Sequence, residues 1–145
     1  MRPGLTRALA LTLSAILSGL TGGCGPGAES HPETVPVQGK VTYKGQPVPK
    51  GTITFQPDAG QPATGEIQPD GSYRLGTYGQ DDGAVPGHHR VMIIANTADP
   101  TKIPGSSPGY VPPRDLVPKS YGQIDTSGLV ADVTKGKTTY DFDLK

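Results

Sequence analysis

Ala63-Thr64-Gly65-Glu66-Ile67-Gln68-Pro69-Asp70-Gly71-Ser72-Tyr73-Arg74-Leu75 says more about the fold than any other stretch of the chain. Pro69 presets its own φ, Asp70 has a short side chain that bonds nearby backbone, and Gly71 accepts positive φ with no Cβ to clash. A tight reversal needs these three properties in this order. The runs on either side, Ala63 to Ile67 and Tyr73 to Leu75, have strand length and supply Ile67, Tyr73 and Leu75 to a core. The reading is a β-hairpin with Pro69-Asp70-Gly71 at its tip.

The same period of two extends in both directions. Val37, Val41 and Tyr43 share a face with Gly39, while Gln38, Lys40 and Thr42 point the other way, as in a half-buried strand. Gly51-Thr-Ile-Thr-Phe-Gln-Pro57 places Ile53 and Phe55 inward, and Lys44 to Gly51 between these runs reads as a turn-rich connection. Gly87 to Asn96 has Val91 and Ile93 on one side and Met92 and Ile94 on the other, which suggests a strand that is central or covered on both faces. Towards the end, Leu129, Ala131 and Val133 precede a Lys135-Gly136-Lys137 turn. Tyr140, Phe142 and Leu144 then alternate with polar residues, and a closing hairpin is expected.

Composition agrees with this reading. Glycine (21) and proline (16) make up about a quarter of the 145 residues, which argues against a helical protein. About seven short strands with turn signals between them indicate an all-β fold, a single antiparallel sandwich over 37–145 of the transthyretin-like or immunoglobulin-like kind. Residues 97–117 contain five prolines and two glycines. They read as one long loop, the region expected to be least stable.

Residues 1–23 differ from the rest. A positive start containing Arg2 and Arg7 precedes an apolar run from Ala8 to Leu20 and then small residues before Cys24, the pattern of an export signal. The run covers about 20 Å as a helix, short of the roughly 30 Å hydrocarbon slab. Cys24 is the sole cysteine, so no intrachain disulfide can form. Residues 24–36, with Pro26, Pro32 and Pro36, read as a flexible tether in which His31 is solvated. Without the two leader arginines, 11 basic residues face 13 acidic ones with no basic stripe, and nucleic acid is not an expected partner.

A cysteine directly after such a run resembles the lipobox of bacterial lipoproteins. The resemblance implies a diacylglycerol on the Cys24 thiol, cleavage just before it and, usually, acylation of the new amino terminus. Thr21 stands where that motif has leucine, with Leu20 one place further back, and Gly25 stands where an inner-membrane retention signal has aspartate. The resemblance therefore implies a lipid anchor in the cell envelope, with the outer membrane or surface favoured and the domain facing periplasm or exterior.

Val37 to Val48, Gly51 to Pro57, Gly65 to Leu75, Gly83-Ala-Val-Pro-Gly87, Val117 to Gly122 and Tyr140-Asp-Phe-Asp-Leu144 together resemble the small carboxypeptidase-regulatory-like lipoproteins of planctomycete bacteria. That resemblance implies a transthyretin-like sandwich and an envelope address, and no particular activity. Where that family has an aromatic near the start of the strand after Gly87, this chain has His89. Alternation places His89 with Val91 and Ile93, so it is expected to fill the ring's structural place.

No set of residues stands out for catalysis. Ser106, Ser107, Ser120 and Ser127 lie in polar loops without a nucleophile motif, and Cys24 belongs to the leader. Adjacent His88 and His89 point to opposite faces of a strand and cannot chelate one ion side by side. No catalytic residue, cofactor or metal is therefore assigned. Tyr78 and Tyr110, in loops, are candidate ligand contacts, because a ring with a polar tip suits protein or sugar surfaces. The expected function is a non-catalytic envelope lipoprotein whose sandwich contacts envelope proteins or polysaccharide. The alternative is a calcium-dependent or carbohydrate-processing accessory enzyme using Asp70, Asp81, Asp82 and His88.

Overall fold

The computed structural model describes residues 30–145. The expected signal peptide (1–23), Cys24 and the first part of the tether lie outside the described residues. Eight strands form: β1 (Gln38–Tyr43), β2 (Gln46–Pro47), β3 (Gly51–Pro57), β4 (Ala63–Ile67), β5 (Ser72–Arg74), β6 (Gly87–Ile94), β7 (Leu129–Val133) and β8 (Phe142–Leu144), with a single 3₁₀ turn at Lys119–Gly122. They make two four-stranded sheets that pack as a sandwich. One runs β4-β3-β6-β7. In the other, β1 is central and carries β2 and β5, with β8 also paired to it.

Alternation explains the core. Val37, Val41, Ile53, Phe55, Ile67, Tyr73, Leu75, Val91, Ile93, Val133, Tyr140, Phe142 and Leu144 are all buried. Tyr43 and Leu129 are only partly so. Phe55 is the hub, its ring centroid lying 6.4 Å from that of Tyr73, 5.9 Å from His89, 6.2 Å from Tyr140 and 5.9 Å from Phe142. Rings at such spacings with tilted or edge-on planes add to the burial of their area.

The structure corrects the expected hairpins. The reversal itself forms: Gly71 has φ 81°, its N–H donates to Gln68 O at 2.8 Å, and the Gln68 N–H donates to Ser72 O at 2.8 Å. Its arms then part. β4 pairs with β3, and β5 pairs with β1, so the two strands belong to different sheets. They meet again at Thr64 and Gly76, which exchange both backbone bonds at 3.0 and 2.9 Å. Ile67, Tyr73 and Leu75 all face the space between the sheets, so the arms must twist apart to enclose it. Gly65 makes the crossing feasible, because a Cβ there would lie 2.1 Å from the Arg74 carbonyl oxygen.

The closing pair is not a hairpin either. β7 adds to β6, whereas β8 crosses to the opposite sheet and runs parallel to β1, pairing Val41 with Phe142 and Tyr43 with Leu144. β1 has β5 and β2 in tandem along one edge, and β8 completes its other edge.

Two further expectations are adjusted. β6 is central, between β3 and β7, yet only one face is covered: Ile94 is 47% exposed and Met92 half-buried. The connection after β1 contains a strand, because Lys44 (φ 51°) and Gly45 (φ 79°) form a two-residue reversal that brings Gln46 against Tyr43. Pro47, which has no N–H, sits on a strand at the sheet edge, where proline is tolerated.

The packed domain begins slightly before residue 37. Val35 is buried and exchanges backbone bonds with Ala84 at 2.9 and 3.0 Å. Glu33 pairs with Lys135 at 2.7 Å, and the exposed His31 ring stacks on Tyr78 at 4.3 Å. The long loop is also shorter than expected at its end, since Leu116 packs on the core and Val117 is buried within it.

Candidate functional site

The corner where β4 and β5 part is also where the surface opens. A cleft of about 1160 Å³ lies there, lined by residues from β1, β3, β4 and β5, the loop after β5 and the approach to β8. Its polar side chains are the outward members of the strands whose alternate residues form the core. Across β1 and β5, Gln38 stands opposite Arg74, and Lys40 opposite Ser72. The facing wall carries Thr64 and Glu66 from β4, and Asp81 from the loop.

The charges in the cleft are engaged unequally. Lys40 Nζ lies 4.0 Å from Asp70, and the Lys40 N–H donates to Asp141 Oδ1 at 2.8 Å. Asp70 also accepts the Ser72 hydroxyl at 2.6 Å and the Ser72 N–H at 3.0 Å. These bonds hold its carboxyl below the ordinary value of 3.8, the hydroxyl bond contributing most. Among the described residues, no hydrogen-bond or ion-pair partner stands beside the side chain of Arg74, Glu66 or Asp81. Tyr73 lines the cleft floor, but its hydroxyl donates to Tyr140 O, and burial foremost pushes its ionisation far up, out of the physiological range.

Two aspartates of the calcium alternative, Asp70 and Asp82, serve nearby backbone. Asp82 Oδ1 accepts the Thr77 N–H at 2.6 Å, and Oδ2 accepts the N–H groups of Tyr78 and Gly79 at 3.1 and 3.0 Å. His88 Nδ1 is 2.7 Å from Asp132 across β6 and β7, away from Asp70 at its own turn. Among the described residues, no three of His, Cys, Asp and Glu gather where a metal ion could be held.

His89 is completely buried, as alternation predicts, and its ring packs on Phe55. Its Nε2 lies 2.7 Å from Val85 O. A carbonyl only accepts, so Nε2 carries the proton, and Nδ1 faces the core with no partner.

Neither predicted contact tyrosine lines the large cleft. Tyr78 is half-buried beneath His31, and Tyr110 is half-buried in the long loop with its N–H on Ser107 O. Asp81 of the alternative reading does line the cleft, whereas Arg74, Lys40 and Glu66 escaped the sequence reading because the cleft exists only where β4 and β5 diverge. The one local sign of that divergence is Gly65, at the point of closest approach. Comparison with protein-family models, with curated proteins and with solved structures finds no match to this chain.

Proposed function

We propose that this protein is an exported, lipid-anchored interaction module of the cell envelope, akin to the carboxypeptidase-regulatory-like lipoproteins it resembles. The observation that carries the reading is the placement of Cys24, directly after a positive start, a 13-residue apolar run and small residues. One acyl chain holds a protein only marginally and two hold it stably, so the two chains of a diacylglycerol on the Cys24 thiol would make the attachment durable, and acylation of the new amino terminus would add a third. The architecture is compatible with such a tether. The chain reaches the sandwich at Val35, beside the start of β6, and the long loop leaves from the opposite end of that strand. From Cys24 to Val35 the chain reaches at most roughly 40 Å, enough to lift the sandwich clear of the headgroups.

Metabolic labelling with a palmitate analogue tests the anchor. The wild type should carry label and partition with membranes, whereas Cys24→Ser should be unlabelled. An unlabelled wild type that remains in the aqueous fraction would refute the anchor.

A further inference from the structure

We propose that the cleft between β4 and β5 binds a segment of acidic polysaccharide, with the Arg74 guanidinium as the group that takes its carboxylates. Arg74 is exposed and, among the described residues, has no partner, so its planar fork of N–H donors is free for a bidentate carboxylate. Lys40 lies diagonally across β1 and β5 on the same outward face, at a spacing of about 7–8 Å, and adds a second cation to that wall, where Asp141 also lines the cleft with its carboxylate held by the Lys40 N–H at 2.8 Å. Asp70 stands 4.0 Å from the Lys40 ammonium and is already held by Ser72.

The opposite wall is acidic. Glu66 and Asp81 also lack partners, and a carboxylate accepts hydrogen bonds from hydroxyl groups. The ligand that fits this polarity has carboxylates along one edge and hydroxyl donors along the other. At about 1160 Å³ the cleft is open and roomy enough for a polymer segment. The choice of a polysaccharide as the source of the carboxylates rests on the envelope reading above, while the polarity of the cleft does not.

The test uses the full chain in detergent, titrated with polygalacturonate, with monomeric galacturonate and with neutral dextran of matched length. Polygalacturonate should bind at least tenfold more tightly than either comparison ligand, and its affinity should fall as salt rises. Arg74→Ala should reduce that affinity tenfold or more, and Arg74→Lys should restore part of it. Tyr78→Ala and Tyr110→Ala should leave it within twofold. Glu66→Gln keeps a carbonyl oxygen to accept a ligand hydroxyl and removes a like charge, which separates this ligand from a neutral or cationic one: polygalacturonate should bind several-fold more tightly. Equal affinity for dextran, indifference to Arg74→Ala at an unchanged melting temperature, or weakening by Glu66→Gln would each overturn the assignment. Tight monomer binding would replace the polymer by a small acidic sugar. A palmitate-labelled protein that ignores polygalacturonate would leave the anchor standing without the cleft assignment, and an unlabelled one that binds it would do the reverse.

Discussion

The segments at the two ends of β6 solve the same problem by different means. Before the strand, the segment 76–86 is fixed along its length. Asp82 holds three successive N–H groups, the Thr77 hydroxyl donates to Gly83 O at 2.7 Å, Ala84 pairs with Val35, and Val85 O receives the proton of His89. After the strand, the segment 96–115 is held mainly at its stem. Asn96 bridges to Asp115, and Thr97 and Arg114 exchange bonds at 2.9 and 2.8 Å through the Arg114 carbonyl and the Thr97 hydroxyl. Beyond that stem the Lys50 ammonium donates to Ala98 O at 2.9 Å, the other hydrogen bonds are local, and Ile103 and Val111 are 62% and 70% exposed. A loop tied to buried groups opens only with the core, whereas one closed at its stem opens by itself.

The largest expected effect lies where the first segment meets the core. His89→Ala would empty a ring-sized space against Phe55 and release Val85 O, at a cost of about 3 kcal/mol or more in urea denaturation. His89→Phe should stay within about 1 kcal/mol of wild type, because it keeps the ring and removes the unpartnered Nδ1 along with the bond to Val85. If both variants lose the same stability, the side chain acts through its polar bond and not as a packed ring. Asp82→Ala comes next. It strips an acceptor from three N–H groups, and about 2 kcal/mol should be lost, with faster hydrogen exchange at Thr77, Tyr78 and Gly79.

How much of this contrast was legible beforehand depends on the range of the interaction. Pro69-Asp70-Gly71 gave away its reversal because every group that makes it lies within the turn. The inward place of His89 followed from its two-residue spacing to Val91. Which strands became neighbours did not follow: alternation in β4, β5, β7 and β8 states which face is buried and is silent on the partner. β4 stayed with β3 and β7 with β6, while β5 and β8 crossed to β1 in the other sheet. Val35, Val48 and Val117 also belong to the core, although they lie outside the runs read as strands. Asp81 and Asp82 read, with Asp70, as a source of hard oxygen ligands. The groups that claimed those of Asp82 were the backbone donors three to five residues upstream, a local pattern that sequence reading could have weighed against calcium. The cleft needed both strand partings at once and left no signal in the sequence beyond Gly65.

The long segment should tolerate what the short one cannot. Replacing residues 99–113 by a short Gly/Ser link that keeps Thr97 and Arg114 should change stability by less than about 1 kcal/mol, since halving a loop alters closure entropy by only about 0.6 kcal/mol. A loss comparable to that of Asp82→Ala would show that the loop tip is part of the cooperative unit, and the contrast between the two ends would fall.

The smallest effect lies inside that loop and carries a pH signature. Asp99 Oδ1 accepts the Thr101 hydroxyl at 2.6 Å and the Thr101 N–H at 2.9 Å, and these two bonds, the hydroxyl foremost, hold its carboxyl below the ordinary 3.8. A carboxyl depressed in the folded state binds its proton more readily when the chain is unfolded. Its contribution is therefore complete above 3.8 and disappears as pH falls through the lower folded value. Because the group is exposed, Asp99→Ala should leave the global melting temperature almost unchanged and instead speed exchange of the Thr101 amide at neutral pH. At a pH below that folded value the variant and the wild type should protect that amide equally. A difference that persists there would mean the turn is set by Thr101 or the neighbouring prolines and not by the charge.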